Sequence, residues 1–342
     1  MCIMFIVDKI RFFHVDFLRA VGIIAVIAIH TYSYSITSPR DFFIWNYLHF
    51  IIVAFIFCSG YVLFGKFTQP FSEAKSLGKW YLKRIQRLLY PYYLYLIIHF
   101  SLFYFFPTYF SGLGMQKSGS FIFQSLLLTG GINLNWLPLL FIELAILFPF
   151  LLSIMKNKAA FTIYVLSAIL ITVGFTVFSF PYGFYRWVMW IPWSLIFILA
   201  KYFVQNEKNG IRLKPYIAIA SGSGALWGIL YFVFIFSHKS LTLIDNKYPP
   251  NLFYILYELS VSFFLVPISI LFNKSYLRAA VTFISKYSYG LFFIHFIILD
   301  FVLKFVASNK LVIDPSIEFV IVIITSVSLL ALYNNFKPNI HF

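Results

Sequence analysis

Residues 16–36 read DFLRAVGIIAVIAIHTYSYSI. After the polar opening Asp16 to Arg19, no ionisable side chain occurs until His30. A helix rises about 1.5 Å per residue, so roughly twenty mostly apolar residues cross the hydrocarbon core of a bilayer. The stretch therefore reads as a membrane-crossing helix. It is continuous rather than alternating, which argues against a strand of a membrane barrel. Nine more stretches of this kind follow, at approximately 42–65, 88–110, 136–155, 159–179, 187–204, 215–237, 251–272, 284–306 and 312–334. The stretch 121–129 is too short to cross and is expected at the interface.

Composition agrees. Of 342 residues, 61% are apolar and 11% charged, with a mean hydropathy of +0.88. Soluble domains run at about 45–50% apolar and about 25% charged. A soluble enzyme and a disordered chain are both excluded. No internal repeat, low-complexity tract or long linker interrupts the sequence, so residues 1–342 are expected to form one domain. The predicted fold is an all-α polytopic membrane protein of about ten transmembrane helices around a central polar cavity. The N-terminal MCIMFIV lacks a cleavage-site pattern, which predicts a retained first helix. Cys2 and Cys58 offer no disulfide framework.

The net charge is +15, from 26 Lys and Arg against 11 Asp and Glu. In a membrane protein such an excess belongs to cytoplasmic loops rather than to nucleic acid. With the N-terminus cytoplasmic, Arg40, Lys117, Arg186, Lys239, Lys247, Lys304 and Lys310 fall outside, and the other 19 of the 26 basic residues fall inside. Both termini are expected in the cytoplasm, and the protein in the cell membrane.

Ionisable groups inside spans are costly, and each is a functional suspect. They are His30, His49, His99, Glu143, Glu258, His295 and Asp300. Any single membrane histidine is equally well a satisfied residue at a helix interface. Asp300 stands near the end of its span and is expected to be solvated. The histidines lack metal-type spacing, so no metal is expected.

The sharpest pattern pairs Arg19 with His30. Eleven positions make almost three helical turns, which puts both on one face roughly 16 Å apart. A guanidinium at the rim can grip a phosphate, and a deep imidazole can take a proton from a hydroxyl. Lys83, Arg84 and Arg87, in KRIQRLLYP ahead of the third span, add a second cationic patch. Pro91 is expected to kink the helix, and the basic stretch 66–82 to lie in the interface. A phosphate-rich carrier at the mouth, with a long arm reaching a deep histidine, has the shape of coenzyme A.

These residues resemble the acyltransferase-3 family of integral membrane acyltransferases, which modify cell-surface glycans. DFLRAVGIIAVIAIH is similar to its Arg-x10-His motif, at Arg19 and His30. FIFCSGYVL carries its Ser-Gly signature at Ser59 and Gly60, and KRIQRLLYP its basic motif at Arg84, Arg87 and Pro91. SYGLFFIH matches a fourth motif at Ser288, Tyr289, Gly290 and His295. The fourth span departs from the pattern, with Glu143 near a position where the family has tyrosine. Glu143 is therefore a suggestion from its chemistry alone.

The resemblance implies an acyl-CoA donor, most often acetyl-CoA, and a sugar hydroxyl acceptor on a glycan or lipid-linked precursor. It implies that His30 is catalytic, as general base or as transient acyl carrier. Arg19, Arg84, Arg87 and Lys83 would hold the donor phosphates. His295, Ser288 and Ser59 would support the site. The competing reading is a secondary transporter, glycan flippase or export subunit using the same cavity, for which inverted repeats and broken helices would be the signature.

Overall fold

The computed structural model describes residues 12–107, 116, 118–178, 180–207 and 210–336. Cys2, Lys117 and the N-terminal MCIMFIV lie outside the described residues. All named elements are helical: α1 (Phe13–Tyr34), α2 (Pro39–Tyr47), α3 (Ile51–Lys66), α4 (Ala74–Phe105), α5 (Gly119–Leu126), α6 (Trp136–Ile154) and α7 (Lys158–Val177). They continue with α8 (Tyr185–Val188), α9 (Trp190–Asn206), α10 (Leu213–Phe236), α11 (Leu252–Ser269), α12 (Ser275–Ser308) and α13 (Pro315–Phe336). Among the described residues, ten helical segments are long and apolar enough to cross a membrane, one for each stretch read from the sequence. The protein is a multi-pass membrane protein.

α1 stands at the centre, packed on α12, α3, α13 and α11. α3 lies against α9, and α10 runs along α11. α1 and α3 are the most enclosed spans, whereas α7, α10 and α13 turn most of their apolar side chains outward. Leu170 and Phe236 are fully outward, as lipid-facing residues can be when the solvent is hydrocarbon.

Glycine sets the closest approach. A Cβ on Gly60 would sit 2.8 Å from the Phe197 carbonyl oxygen, so only glycine lets α3 settle on α9. On the other side of α3, the Cys58 thiol donates to the Val15 carbonyl of α1, at 3.3 Å. A buried polar knot ties α1, α3, α9 and α10 at the N-terminal end of α1. There Tyr61 donates to Glu207 at 2.8 Å, and His14 Nε2 lies 3.4 Å from the same carboxylate.

The structure adds detail to two of the spans. The second span is not one helix: it breaks between Tyr47 and Ile51. Side chains of α11 take over the backbone groups freed there. Glu258 accepts from the Ile52 and Val53 amides at 3.4 and 2.6 Å, Tyr257 donates to the Tyr47 carbonyl at 2.5 Å, and Ser262 donates to the Phe50 carbonyl at 2.7 Å. A carboxylate at a helix N-terminus meets both its unpaired amides and its partial positive charge. Second, α4 begins at Ala74 and continues through Pro91. Lys83, Arg84 and Arg87, ahead of the apolar stretch, thus belong to the same helix as the span.

Candidate active site

Apart from Glu143, the candidate residues gather at two ends of α1. At its C-terminal end lies a cavity of about 910 Å³, walled by α1, the α2–α3 break, α4, the turn before α6, the 244–248 segment and α12. It sits toward one end of the bundle.

His30 is half-buried and lines this cavity. Its ring stacks on His295, 5.5 Å between centroids and 30° between planes, and lies 4.5 Å from Phe296. His295 is fully buried. Its Nδ1 contacts the Leu291 carbonyl at 2.9 Å. A carbonyl only accepts, so the neutral ring carries its proton on Nδ1 and leaves Nε2 as an acceptor. That Nε2 is buried without a hydrogen-bond partner. His49, also on the wall, is oriented in the same way by the Trp45 carbonyl at 2.8 Å.

Asp300 is not solvated. It is 6% exposed, lines the cavity, and its Oδ2 lies 3.3 Å from His99 Nδ1. The local signal was its place one helical turn beyond Phe296. Its partner on α4 could not be read from the sequence. Lys247, assigned by sequence to an outer loop, is 8% exposed on the cavity wall. Its ammonium lies 4.8 Å from the Trp136 ring and 5.1 Å from the Tyr248 ring. Burial draws its pKa below the ordinary lysine range.

The second group stands toward the N-terminal end of α1. Arg84 donates from Nη2 to Ser59 Oγ at 2.9 Å, and its Nε is buried without a partner. Arg19 and Arg87 lie close enough for their charges to act on Arg84. None of the three arginines forms an ion pair with a described carboxylate. Arg87 and Lys83 are exposed, while Arg19 is half-buried. Tyr289 ties α12 to this region by donating to the Leu88 carbonyl at 2.8 Å.

The cavity walls include His30 but not Arg19, Arg84 or Arg87. Ser288 is buried on α12 and is not on the walls either. Glu143 belongs to neither group. One carboxylate oxygen is buried without a hydrogen bond, and the charge acting on it is that of Arg186, which is itself held by Asn135 at 2.7 Å. Among the described residues no cluster of His, Cys, Asp and Glu comes together that could hold a metal ion.

The acyltransferase-3 family model, which describes an acyltransferase domain, matches residues 13–334. That is nearly the whole chain, and the protein belongs to this family of membrane acyltransferases. Among curated proteins and among solved structures, nothing matches the chain.

Proposed function

We propose that the protein moves an acyl group, acetyl in the first instance, from cytoplasmic acyl-CoA to a hydroxyl of a cell-surface polysaccharide or lipid-linked glycan. His30 is the catalytic base. The observation that carries this reading is the unbroken α1. It bears Arg19, whose charge is felt at Arg84, and His30, on the cavity wall, on one face roughly 16 Å apart.

In this reading the arginine end faces the cytoplasm of the cell and receives the donor phosphates. Arg84 and Arg19 suit that task because a guanidinium binds phosphate through paired donors and never loses its charge at working pH. The acyl arm runs along α1 toward His30. The acceptor enters the cavity, whose aromatic walls suit a sugar ring. His30 takes the hydroxyl proton as the acceptor oxygen attacks the thioester carbonyl. A carbon–oxygen bond forms, the carbon–sulfur bond breaks, and the proton passes to the departing thiolate. His295 holds the His30 ring by stacking.

A transporter would also use a broken span. Here two amides of the helix end exposed by the break, those of Ile52 and Val53, are bonded by a protein carboxylate, Glu258, rather than held open for a substrate or coupling ion. That favours the enzyme.

The test is acetyl-CoA binding and CoA release by the purified protein, with His30→Ala as comparison. Binding by both, with CoA release by the wild type alone, supports the proposal. Equal release by the variant overturns the role of His30, and failure to bind any acyl-CoA overturns the function.

A further inference from the structure

Lys247 is the feature of the cavity that acyl transfer does not account for. It lies in the segment between α10 and α11 and reaches the wall that His30 and His49 also form. Its charge acts on both of those imidazoles. Two aromatic faces, Trp136 and Tyr248, hold the side chain, and such faces favour a cation without neutralising it. The ammonium makes no hydrogen bond or ion pair with a described residue.

None of the described carboxylates nearby forms an ion pair with Lys247. Glu258 is felt electrostatically and offsets part of the cost of burying Lys247, but its oxygens accept from the Ile52 and Val53 amides and no ion pair with Lys247 forms among the described residues. Asp300 Oδ2 lies 3.3 Å from His99 Nδ1, on the α4 side of the cavity. Asp245, at the exposed rim, accepts from Ser240 at 2.6 Å. A buried cation costs free energy unless a counter-charge meets it. This one faces a cavity large enough for a sugar, and among the described residues no carboxylate touches it directly, although Glu258 is felt at a distance.

We infer that Lys247 binds a negative charge carried by the acceptor, so that the acceptor is an acidic sugar bearing a carboxylate or a phosphate. The inference rests on the proposed acyl transfer, and it names the acceptor class for that same cavity. Contact with the anion also returns the lysine toward its ordinary pKa, since a neighbouring negative charge favours the ammonium.

The test uses full-length protein in lipid nanodiscs. Dissociation constants are measured for glucuronate, glucose 6-phosphate and glucose, for wild type, Lys247→Met and Lys247→Arg. Unfolding temperatures establish that each variant is folded. A charge-assisted contact predicts that the wild type prefers one anionic sugar over glucose by roughly tenfold or more. Lys247→Met should lose that preference and Lys247→Arg should keep most of it. Preference for glucuronate assigns a carboxylate, and preference for glucose 6-phosphate assigns a phosphate.

No anionic preference in the wild type overturns the inference, as does an equal loss for all three sugars in Lys247→Met. Release of CoA from acetyl-CoA and succinyl-CoA is followed in the same samples. If Lys247→Met changes the choice of acyl donor and leaves sugar preference alone, the anion belongs to the donor and the inference fails. If the wild type binds neither donor, the failure lies with acyl transfer itself.

Discussion

The rings of His30 and His295 lie stacked, with 5.5 Å between centroids. One belongs to α1 and the other to α12, and only the packing of those two helices brings them together. The Leu291 carbonyl fixes the His295 ring, and the His295 ring backs that of His30. On the proposed reading, His295 acts through His30 as a positioning residue. His30→Ala should lower turnover by about 10²–10⁴-fold, the usual contribution of a general base. His295→Phe preserves a ring of similar placement and should keep more turnover than His295→Ala. Steady-state release of CoA decides this. Equal loss in both His295 variants would mean that its nitrogens, rather than its stacking, are what count.

Arg84 is the best-defined member of the basic group, with one donor on Ser59 and a buried Nε left over. Arg84→Ala should weaken acyl-CoA binding by roughly tenfold or more, the worth of a charge-assisted contact to phosphate. Arg84→Lys should recover only part of it, because an ammonium cannot reproduce a forked donor. The acceptor KM should stay close to that of the wild type. Measured donor and acceptor affinities that fall together would make the cluster a structural one.

Ser59 and Gly60 are neighbours with different duties. Ser59 receives Arg84, while Gly60 permits the approach of α3 to α9. Gly60→Val drives new atoms against the Phe197 carbonyl and should destabilise the protein by about 1–3 kcal/mol, as overpacking does. Ser59→Ala should leave the unfolding temperature nearly unchanged and act on donor binding. Thermal unfolding of the two variants in one detergent separates the duties.

The spans and the Arg19–His30 pair were legible because hydropathy and the helical period are local properties. The place of Lys247 on the cavity wall was not legible, for the opposite reason. By sequence it is a loop cation to be counted for orientation, and only the folding of the 244–248 segment over the cavity buries it. Asp300 was misread because its neighbour His99 stands on another helix. The break in the second span left no mark either: NYLHFII contains no proline or glycine, and the groups that stabilise the break come from α11, about two hundred residues further on. Apolar periodicity finds helices, and tertiary hydrogen bonds decide where they stop.

Glu258 provides the test of that last point. Its span position made it a functional suspect, and its hydrogen bonds to Ile52 and Val53 make it the cap of α3. Glu258→Gln keeps one acceptor but sets an amide donor against backbone donors. It should cost about 1–3 kcal/mol of stability, the penalty for one unsatisfied buried group. Glu258→Ala leaves both amides unpaired and should cost more. Because Ile51 and Ile52 form part of the cavity wall, turnover should fall in step with stability. Unfolding temperature and CoA release are measured on the same preparations. A Glu258→Gln protein with wild-type unfolding temperature and lost turnover would instead make this carboxylate part of the chemistry.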